Sequence, residues 1–490
     1  MNKGIFEKYK AKYSEVGYVT QLQMPVVYVE GLPGAAIGEL VVFDSGQLGY
    51  VSSLQRRLCG VLLLSDLPVG VGSVVSRTGS GIKINVEREL LGTVVCSLLN
   101  VLCIDSEDRN ARYIESEIPL LSVRRRVSKP FFTGVTKIDM LVPLGEGQRE
   151  LILGDRNTGK TAFALQVLAT RASLGDICIY AGIGKKKSDL IKVKSYLEKS
   201  GAYNNSVILF FDASSPSTEI YLAPYVAMTI AEHFRDLGHK VTLILDDLTT
   251  HAKYYREISL VSGDYPGRDS YPGNIFHIHA RLLERAGAFI SPDGKETSIT
   301  CLPIAETVNS DFSGFIQTNL MSMTDGHIFF DSAFFGNGYR PPINNFLSVT
   351  RVGRQTQTSL RWGVNRECAS FLLLNQKTEK FVHFGTELNS GIGATLKMNE
   401  LIQQLFTQEE DFLVPMSVQL ITFALVWIGA LKSSVHTYIC LSKDKYIRED
   451  TYRTLTDTLV TSSESLNDFL GKVSAKKVEL LLEGDVHAQS

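Results

Sequence analysis

The chain has 490 residues, of which 21% are charged, and a formal net charge of −2. That length exceeds one ordinary core, so two to four domains are expected. The near-neutral charge offers no basic field for nucleic acid and no acidic tail that would argue for disorder, which leaves protein and small-molecule partners.

The opening segment, MNKGIFEKYKAKYSEVG, is charged throughout, lacks an apolar core of the signal-peptide kind, and carries glutamates that count against a transit peptide; no export is indicated. The cysteines Cys59, Cys96, Cys103, Cys178, Cys301, Cys368 and Cys440 form no CxxC and no Cys/His cluster, and most sit in apolar runs, which suits core thiols in a reducing compartment. From about residue 15 to 83 the runs YVTQLQ, VVYVEGL, GELVVF, GYVSSL, CGVLLL and GSVVSRTG are punctuated by Gly, Pro or Asp, the pattern of a small β-barrel. Beyond about residue 84 the texture becomes strand–helix alternation: ELILGD, DICIYAGIG, NSVILFFDAS and KVTLILDD are each followed by a helical pattern, as around a parallel sheet. From about residue 359 strand signals fade, and KMNELIQQLF, SVQLITFALVWIGAL and NDFLGKVSAKKVELLLEG read as helices. The apolar run Leu413 to Leu431 nearly reaches membrane-spanning length, but Pro415, Ser417, Gln419 and Thr422 interrupt it, and it reads as a buried helix. The expected fold is therefore multidomain: a short N-terminal extension (1–14), an N-terminal β-barrel (15–83), a central α/β P-loop (RecA-like) nucleotide-binding domain (84–358) and a C-terminal α-helical domain (359–490).

Residues 149–162 read RELILGDRNTGKTA: a short apolar strand, then Gly154, Asp155, Arg156, Asn157, Thr158, Gly159, Lys160 and Thr161. This is the phosphate-cradling spacing of a P-loop, with its strand in front and an apolar-periodic helix behind. Glycines let backbone N–H groups turn inward around the phosphates, Lys160 supplies a point charge to their oxygens, and the Thr161 hydroxyl can take one Mg²⁺ position. The run Val241 to Asp247 ends a buried strand on two carboxylates at the sheet edge where ligands of such folds sit, so Asp246 is the candidate to hold the water shell of Mg²⁺. Together these residues predict a site for ATP with Mg²⁺.

Hydrolysis needs one part more, a carboxylate or amide that orients the attacking water. In hexameric P-loop motors it is a glutamate after the strand that follows the P-loop helix. Here that strand, CIYAGIG, runs into Lys185, Lys186 and Lys187. A lysine with an ordinary pKa of about 10.4 cannot accept the water's proton. Either this lysine run is a solvated surface turn and the base lies elsewhere, or the site binds nucleotide and turns it over poorly or not at all.

At this point the residues resemble the alpha subunit of F-type ATP synthases over nearly the whole chain. ELILGDRNTGKTA is similar to the family's GDRQTGKT loop, with Asn157 replacing the usual glutamine; IYAGIGKKK resembles its AIGQK segment, with Lys185 in the glutamine position; LILDDLTTHAKYYREISL resembles YDDLSKQAVAYRQ. PGRDSYPGNIFHIHARLLERA, LPIAETVNSDFSGFIQTN, SMTDGHIFF, GYRPPINNFLSVTRVG and HFGTELN follow in the family's order. The resemblance implies an ATP-binding, non-hydrolysing subunit, peripheral on the cytoplasmic face of a bacterial membrane. It would alternate with beta-type catalytic subunits in a three-plus-three ring around a gamma-type central stalk, touch the membrane sector only indirectly, and bind no nucleic acid. It also implies that Arg351, in the motif Ser348–Gly353, enters the neighbouring beta site as an arginine finger, that Ser322 lies near the beta-facing interface, and that Phe335 and Arg340 wall the adenine. The family's KQGQYSPM segment has no clean counterpart; Gln408 in LFTQEEDFLVPM is the nearest candidate for an adenine contact.

One departure lies at the start, where the barrel pattern begins by about Val16 and leaves little room for the helix that the family extends to its peripheral stalk. An alpha-like subunit of a specialised F-type-like motor is therefore a second reading, and a self-sufficient export-type ring ATPase a third. An RNA translocase would need a basic, aromatic barrel, whereas GAAIGELVVFDSGQLGYV is apolar and slightly acidic.

Overall fold

A computed structural model describes residues 3–65, 68–104, 110–291, 293–383, 390–410, 412–431 and 434–481. The chain divides into two compact units, one of residues 1–126, 147–153 and 171–324 and one of residues 127–146, 154–170 and 325–490.

The first unit begins with a helix, Lys3–Tyr13, where the sequence suggested only a short extension. Phe6 and Tyr9 fall on one side of it and are 4% exposed, and Arg77 lies over the Tyr13 ring at 5.1 Å. A Cβ at residue 79 would collide with the Tyr13 hydroxyl, so Gly79 is what lets the helix close on the barrel. The six expected strand runs are all strands: Gly17–Gln23, Val26–Glu30, Glu39–Phe43, Leu48–Leu54, Leu58–Leu63 and Val74–Gly81. They close a barrel in the spatial order first, second, fifth, fourth, third, sixth, so no edge is left exposed. Its core is mostly β-branched, with Val19, Val27, Val29, Val41, Val51, Val61 and Val75 around Phe43, because such side chains pack well at alternate positions of a pleated strand.

The same unit holds a sheet in which Leu151–Gly154, Glu296–Glu306, Lys240–Asp246, Ile177–Lys185, Ser206–Asp212 and Thr93–Val95 lie side by side in that order. The last five are parallel neighbours, while Gly287–Ile290 pairs antiparallel with Glu296–Glu306, making the sheet mixed. Strands covered on both faces must be apolar on both, and Val207–Phe211 and Val241–Leu245 are buried without interruption. The helix Ser217–Asp236 is buried at every position from Thr218 to Phe234. Its two buried glutamates are accordingly paired: Glu219 accepts from the Ser97 hydroxyl at 2.6 Å, and Glu232 meets the Arg285 guanidinium at 2.6 Å.

In the second unit the short helix Thr136–Leu141, the residue 154–161 loop and the antiparallel pair Gly326–Phe330 and Val349–Thr350 accompany a helical region. That region comprises Ser359–His383, Ser390–Phe406, Met416–Trp427, Val435–Arg448, Asp450–Thr461, Leu466–Ala475 and Lys477–Leu480. The apolar run expected to be a buried helix is one: from Ser417 to Val426 every residue is buried. Gly429, at φ +69°, supplies the left-handed residue that ends this helix, and the Ala430 N–H donates back to the Leu425 carbonyl at 2.9 Å. Among the described residues no helix is long and apolar enough to cross a membrane. The HFGTELN segment lies, from Phe384 onward, outside the described residues.

Candidate nucleotide site

The strand Leu151–Gly154 delivers the chain into the loop, and the helix Lys160–Ser173 takes it away. Gly154 packs so tightly that a Cβ there would strike the Phe330 carbonyl, whereas Gly159 has open space and φ +92°. One glycine is thus required by contact and the other by backbone conformation. Asn157 also takes a left-handed φ of 61°, a region asparagine tolerates better than most residues. Inside the loop, the Thr158 hydroxyl and the Lys160 ammonium both donate to the Asp155 carbonyl, at 2.8 and 2.5 Å, and both residues are buried while Arg156 and Asn157 face outward. Lys160 is therefore held inside the turn it charges, beside N–H groups at a helix start that favour an anion.

In the same unit Phe335 closes the short helix Ser332–Gly336 and stays 36% exposed, with the Arg340 guanidinium over its ring at 3.8 Å. Arg340 is fixed there by donating to the Phe335 and Tyr339 carbonyls at 2.9 and 2.8 Å. The two side chains expected to wall a base thus stack on each other, both exposed, with Arg340 anchored to backbone carbonyls. Gln408 has another task. Its carbonyl accepts from the Thr136 N–H at 3.0 Å and the Thr136 hydroxyl at 3.3 Å, and its amide donates to the carbonyls of Gly134 and Phe412. That uses both donors and both lone pairs of a side chain only 4% exposed, so nothing is left to read an adenine edge. Gln408 is a brace between two loops, although its backbone N–H does donate to the Arg340 carbonyl at 2.8 Å. Beside Thr136, the Lys137 ammonium lies over the rings of Phe334 and Tyr339, at 5.4 and 5.8 Å, and burial lowers its pKa to about 8.

In the first unit, Asp246 and Asp247 end the Lys240–Asp246 strand, each about 1% exposed. The adjacent strand Ile177–Lys185 breaks register between Ile183 and Lys185. At the break, Gly184 takes φ +64°, and a Cβ there would lie 2.8 Å from Thr250 and 3.0 Å from Tyr254. The bulge re-aims the next side chain. Lys185 turns in, its ammonium 2.6 Å from Asp246 and 3.0 Å from Asp247, while Lys186 and Lys187 are exposed. In the lysine run, Lys186 is solvated, Lys187 is exposed at a helix start with Asp212 3.6 Å away, and Lys185 is the half-buried ion-pair partner. Tyr180 donates its hydroxyl to Asp246 at 2.8 Å, and Asp247 caps the helix Leu248–Val261 by accepting from the Thr250 N–H at 2.6 Å. Burial works to lower the Lys185 pKa, but Asp246 and then Asp247 outweigh it and raise it above the usual lysine value. Burial raises the pKa of Asp247, against the lowering effect of Lys185. An ammonium so held accepts no proton from water.

The same contacts bear on Mg²⁺. Thr161 has the hydroxyl such an ion takes; Asp246 and Asp247, in the other unit, are engaged by an ammonium, a phenol and a helix terminus. A hydrated dication set beside that ammonium would compete with it for the same oxygens, so the residues present do not fit the ion as the sequence led one to expect.

Arg351 follows the strand Val349–Thr350, is exposed, and is positioned by its N–H donating to the Asp325 carbonyl at 2.9 Å. Ser322 lies in the helix Phe315–Met323 of the other unit, exposed, with its hydroxyl on the Asn319 carbonyl at 2.6 Å.

Residues 134–350, which include the loop, the carboxylate pair and all but the last residue of the Ser348–Arg351 stretch, match the ATP synthase alpha/beta family nucleotide-binding domain. Over far more of the chain there is similarity to ATP synthase subunit alpha: 38% identity to that of Orientia tsutsugamushi over 423 residues, 82% of each chain. The subunit alpha of Caldanaerobacter subterraneus subsp. tengcongensis is 39% identical over 416 residues, 84% of this chain and 81% of its own. The chain belongs to the ATP synthase alpha-subunit family. The subunit alpha of Dictyoglomus turgidum, 36% identical over 449 residues, extends the match to 89% of this chain and 88% of its own. Nucleotide binding by this alpha-type chain follows from that membership and from the loop geometry. The functional contact that sequence reasoning missed is the Lys185 ion pair; a glycine immediately before the lysine and two acids ending another strand were its only traces.

Proposed function

We propose that this chain is the ATP-binding, non-hydrolysing member of a rotary F-type ATPase, set between beta-type catalytic subunits in a three-plus-three ring around a gamma-type stalk. In this reading the loop Gly154–Thr161 holds the phosphates, Phe335 and Arg340 offer an aromatic face and a guanidinium to the adenine, and Arg351 reaches a neighbour's ATP. The assembly is peripheral to the cytoplasmic side of a bacterial membrane, as suits a family whose relatives named above come from bacteria.

One observation carries the non-hydrolysing part: Lys185, where a water-orienting carboxylate would be needed, is an ammonium locked by Asp246 and Asp247. What remains for this chain is to hold its own nucleotide as a fixed element and to lend Arg351 outward. A guanidinium stays charged at all working pH values and can neutralise the charge that spreads over the transferring phosphoryl group. Arg351 is supported for this by an exposed side chain on a backbone pinned to Asp325. No step in this chain's own site is assigned to Mg²⁺.

The test is ATPase assay of the purified chain alone and after mixing with its co-purifying beta-type partner. Activity is expected only in the mixture, and Arg351→Ala should abolish it while the variant chain still binds ATP. Robust turnover by the chain alone would place it instead with self-sufficient export-type ring ATPases.

A further inference from the structure

Lys137, the second residue of the short helix Thr136–Leu141, is only 4% exposed. Among the described residues no carboxylate lies within ion-pair distance of its ammonium, and no group accepts a hydrogen bond from it. Asp139, two residues on, is engaged elsewhere: its oxygens accept from the Thr133 N–H and hydroxyl, the Gly134 N–H and the Gln419 amide. What meets the ammonium is aromatic, the rings of Phe334 and Tyr339 at 5.4 and 5.8 Å, themselves 5.2 Å apart. Burial without a counter-charge lowers the Lys137 pKa, so keeping the proton there works against the fold, and a neutral side chain of the same length would suit a core better.

The two rings under the ammonium are the chain neighbours of the pair expected to face a base. Phe334 precedes Phe335 and Tyr339 precedes Arg340, whose guanidinium stacks on the Phe335 ring at 3.8 Å. The links between them are short. The Tyr339 N–H donates to the Phe334 carbonyl at 3.1 Å, and Arg340 is held by the Tyr339 and Phe335 carbonyls at 2.8 and 2.9 Å. A shift of either ring therefore moves a carbonyl that anchors the guanidinium. These residues and the residue 154–161 loop belong to one unit. Within it the Arg340 carbonyl accepts from the Gln408 N–H at 2.8 Å, and the next carbonyl, of Glu409, accepts from Gln166 on the helix that leaves the loop, at 2.9 Å.

We propose that Lys137 is a positioning residue for the nucleobase, its ammonium pinning Phe334 and Tyr339 and so keeping Phe335 and Arg340 stacked as one face. This rests on the reading of Phe335 and Arg340 as the base wall and deepens it: a charge the fold would do better without serves the geometry of the ligand. A cation over a ring holds more strongly when both are out of water, which suits a buried lysine to the task.

The experiment is calorimetric titration of the full-length chain with ATP and, separately, with inorganic tripolyphosphate, for wild type, Lys137→Met, Phe335→Ala and the double variant. Lys137→Met is expected to weaken ATP about fivefold or more and to leave tripolyphosphate within about twofold, while its resistance to chemical denaturation does not fall. In the Phe335→Ala background the same change should shift ATP affinity by less than about twofold, because the face it positions is gone. Unchanged ATP affinity in Lys137→Met, an equal loss for both ligands, or effects that add in the double variant would each overturn the proposal and leave nucleotide binding standing. A wild type that binds ATP no more tightly than tripolyphosphate overturns the base wall and the proposal with it. A wild type that binds neither overturns the nucleotide reading itself.

Discussion

The loop of residues 154–161 and the cluster of Tyr180, Lys185, Asp246 and Asp247 are made of different materials. The loop is local and largely backbone: a glycine forced by contact, a glycine and an asparagine at positive φ, and a lysine tied to a carbonyl five residues before it. The cluster is made of side chains drawn from points more than 60 residues apart, and it hangs on one bulge. A backbone cradle tolerates changes in its exposed spacers, whereas a buried charge cluster changes its chemistry with one residue. The first region announces the nucleotide, and the second sets the charge state of Lys185 through its neighbours.

The sharpest break between binding and chemistry is Arg351→Ala. It should lower the ATPase of the reconstituted assembly by about 10³-fold or more while leaving ATP affinity of the variant chain unchanged, read from kcat and from calorimetry. Next comes Lys185→Ala, which strips the counter-charge from two buried acids. It should cost roughly 3–5 kcal/mol of unfolding free energy at pH 7, as chemical denaturation would measure. The sign with pH follows from Asp247, whose folded pKa burial raises: such an acid loses stability as pH climbs through that value, so the deficit should shrink as the pH is lowered from 7. A deficit that does not change with pH would mean Asp247 is not the cause.

Lys137 tests the binding region in the opposite direction. Its folded pKa of about 8, against 10.5 for the ordinary group, makes the protonated form the costly one. Stability should therefore be lowest through this group at and below pH 8 and rise toward pH 10, by up to roughly 3 kcal/mol. Lys137→Met should flatten that slope and raise stability at pH 7 by about 1–2 kcal/mol, since the contacts to Phe334 and Tyr339 offset only part of the burial cost. The smallest effect on ligand is expected of Gln408→Ala: ATP affinity within about twofold of wild type, with roughly 2 kcal/mol lost from folding because the partners of a buried amide go unsatisfied.

The barrel strands were legible because β-branched runs between Gly, Pro and Asp have few other ways to fold, and the Met416–Trp427 helix because its interruptions are polar enough to bar a membrane yet small enough for a core. The P-loop was legible for the same reason: its spacing is its structure. The N-terminal helix was not, since Phe6, Tyr9 and Tyr13 are a brief apolar face in a charged segment and acquire meaning only against Arg77 and Gly79. Nor was the partner of Lys185, because the side to which a side chain turns after a bulge depends on a register shift no spacing reveals. Gln408 was found by its place in a motif and then misassigned a contact, since satisfaction by Gly134 and Thr136 is a matter of loops distant in sequence.

The Gly184 bulge has one more consequence, for mass action. A metal counter-ion has a concentration: its occupancy follows the free ion in solution and it can leave with the ligand. A counter-charge carried on the chain, as Lys185 is, has an effective local concentration set by geometry alone. The charge balance of Asp246 and Asp247 therefore does not follow the free magnesium in solution.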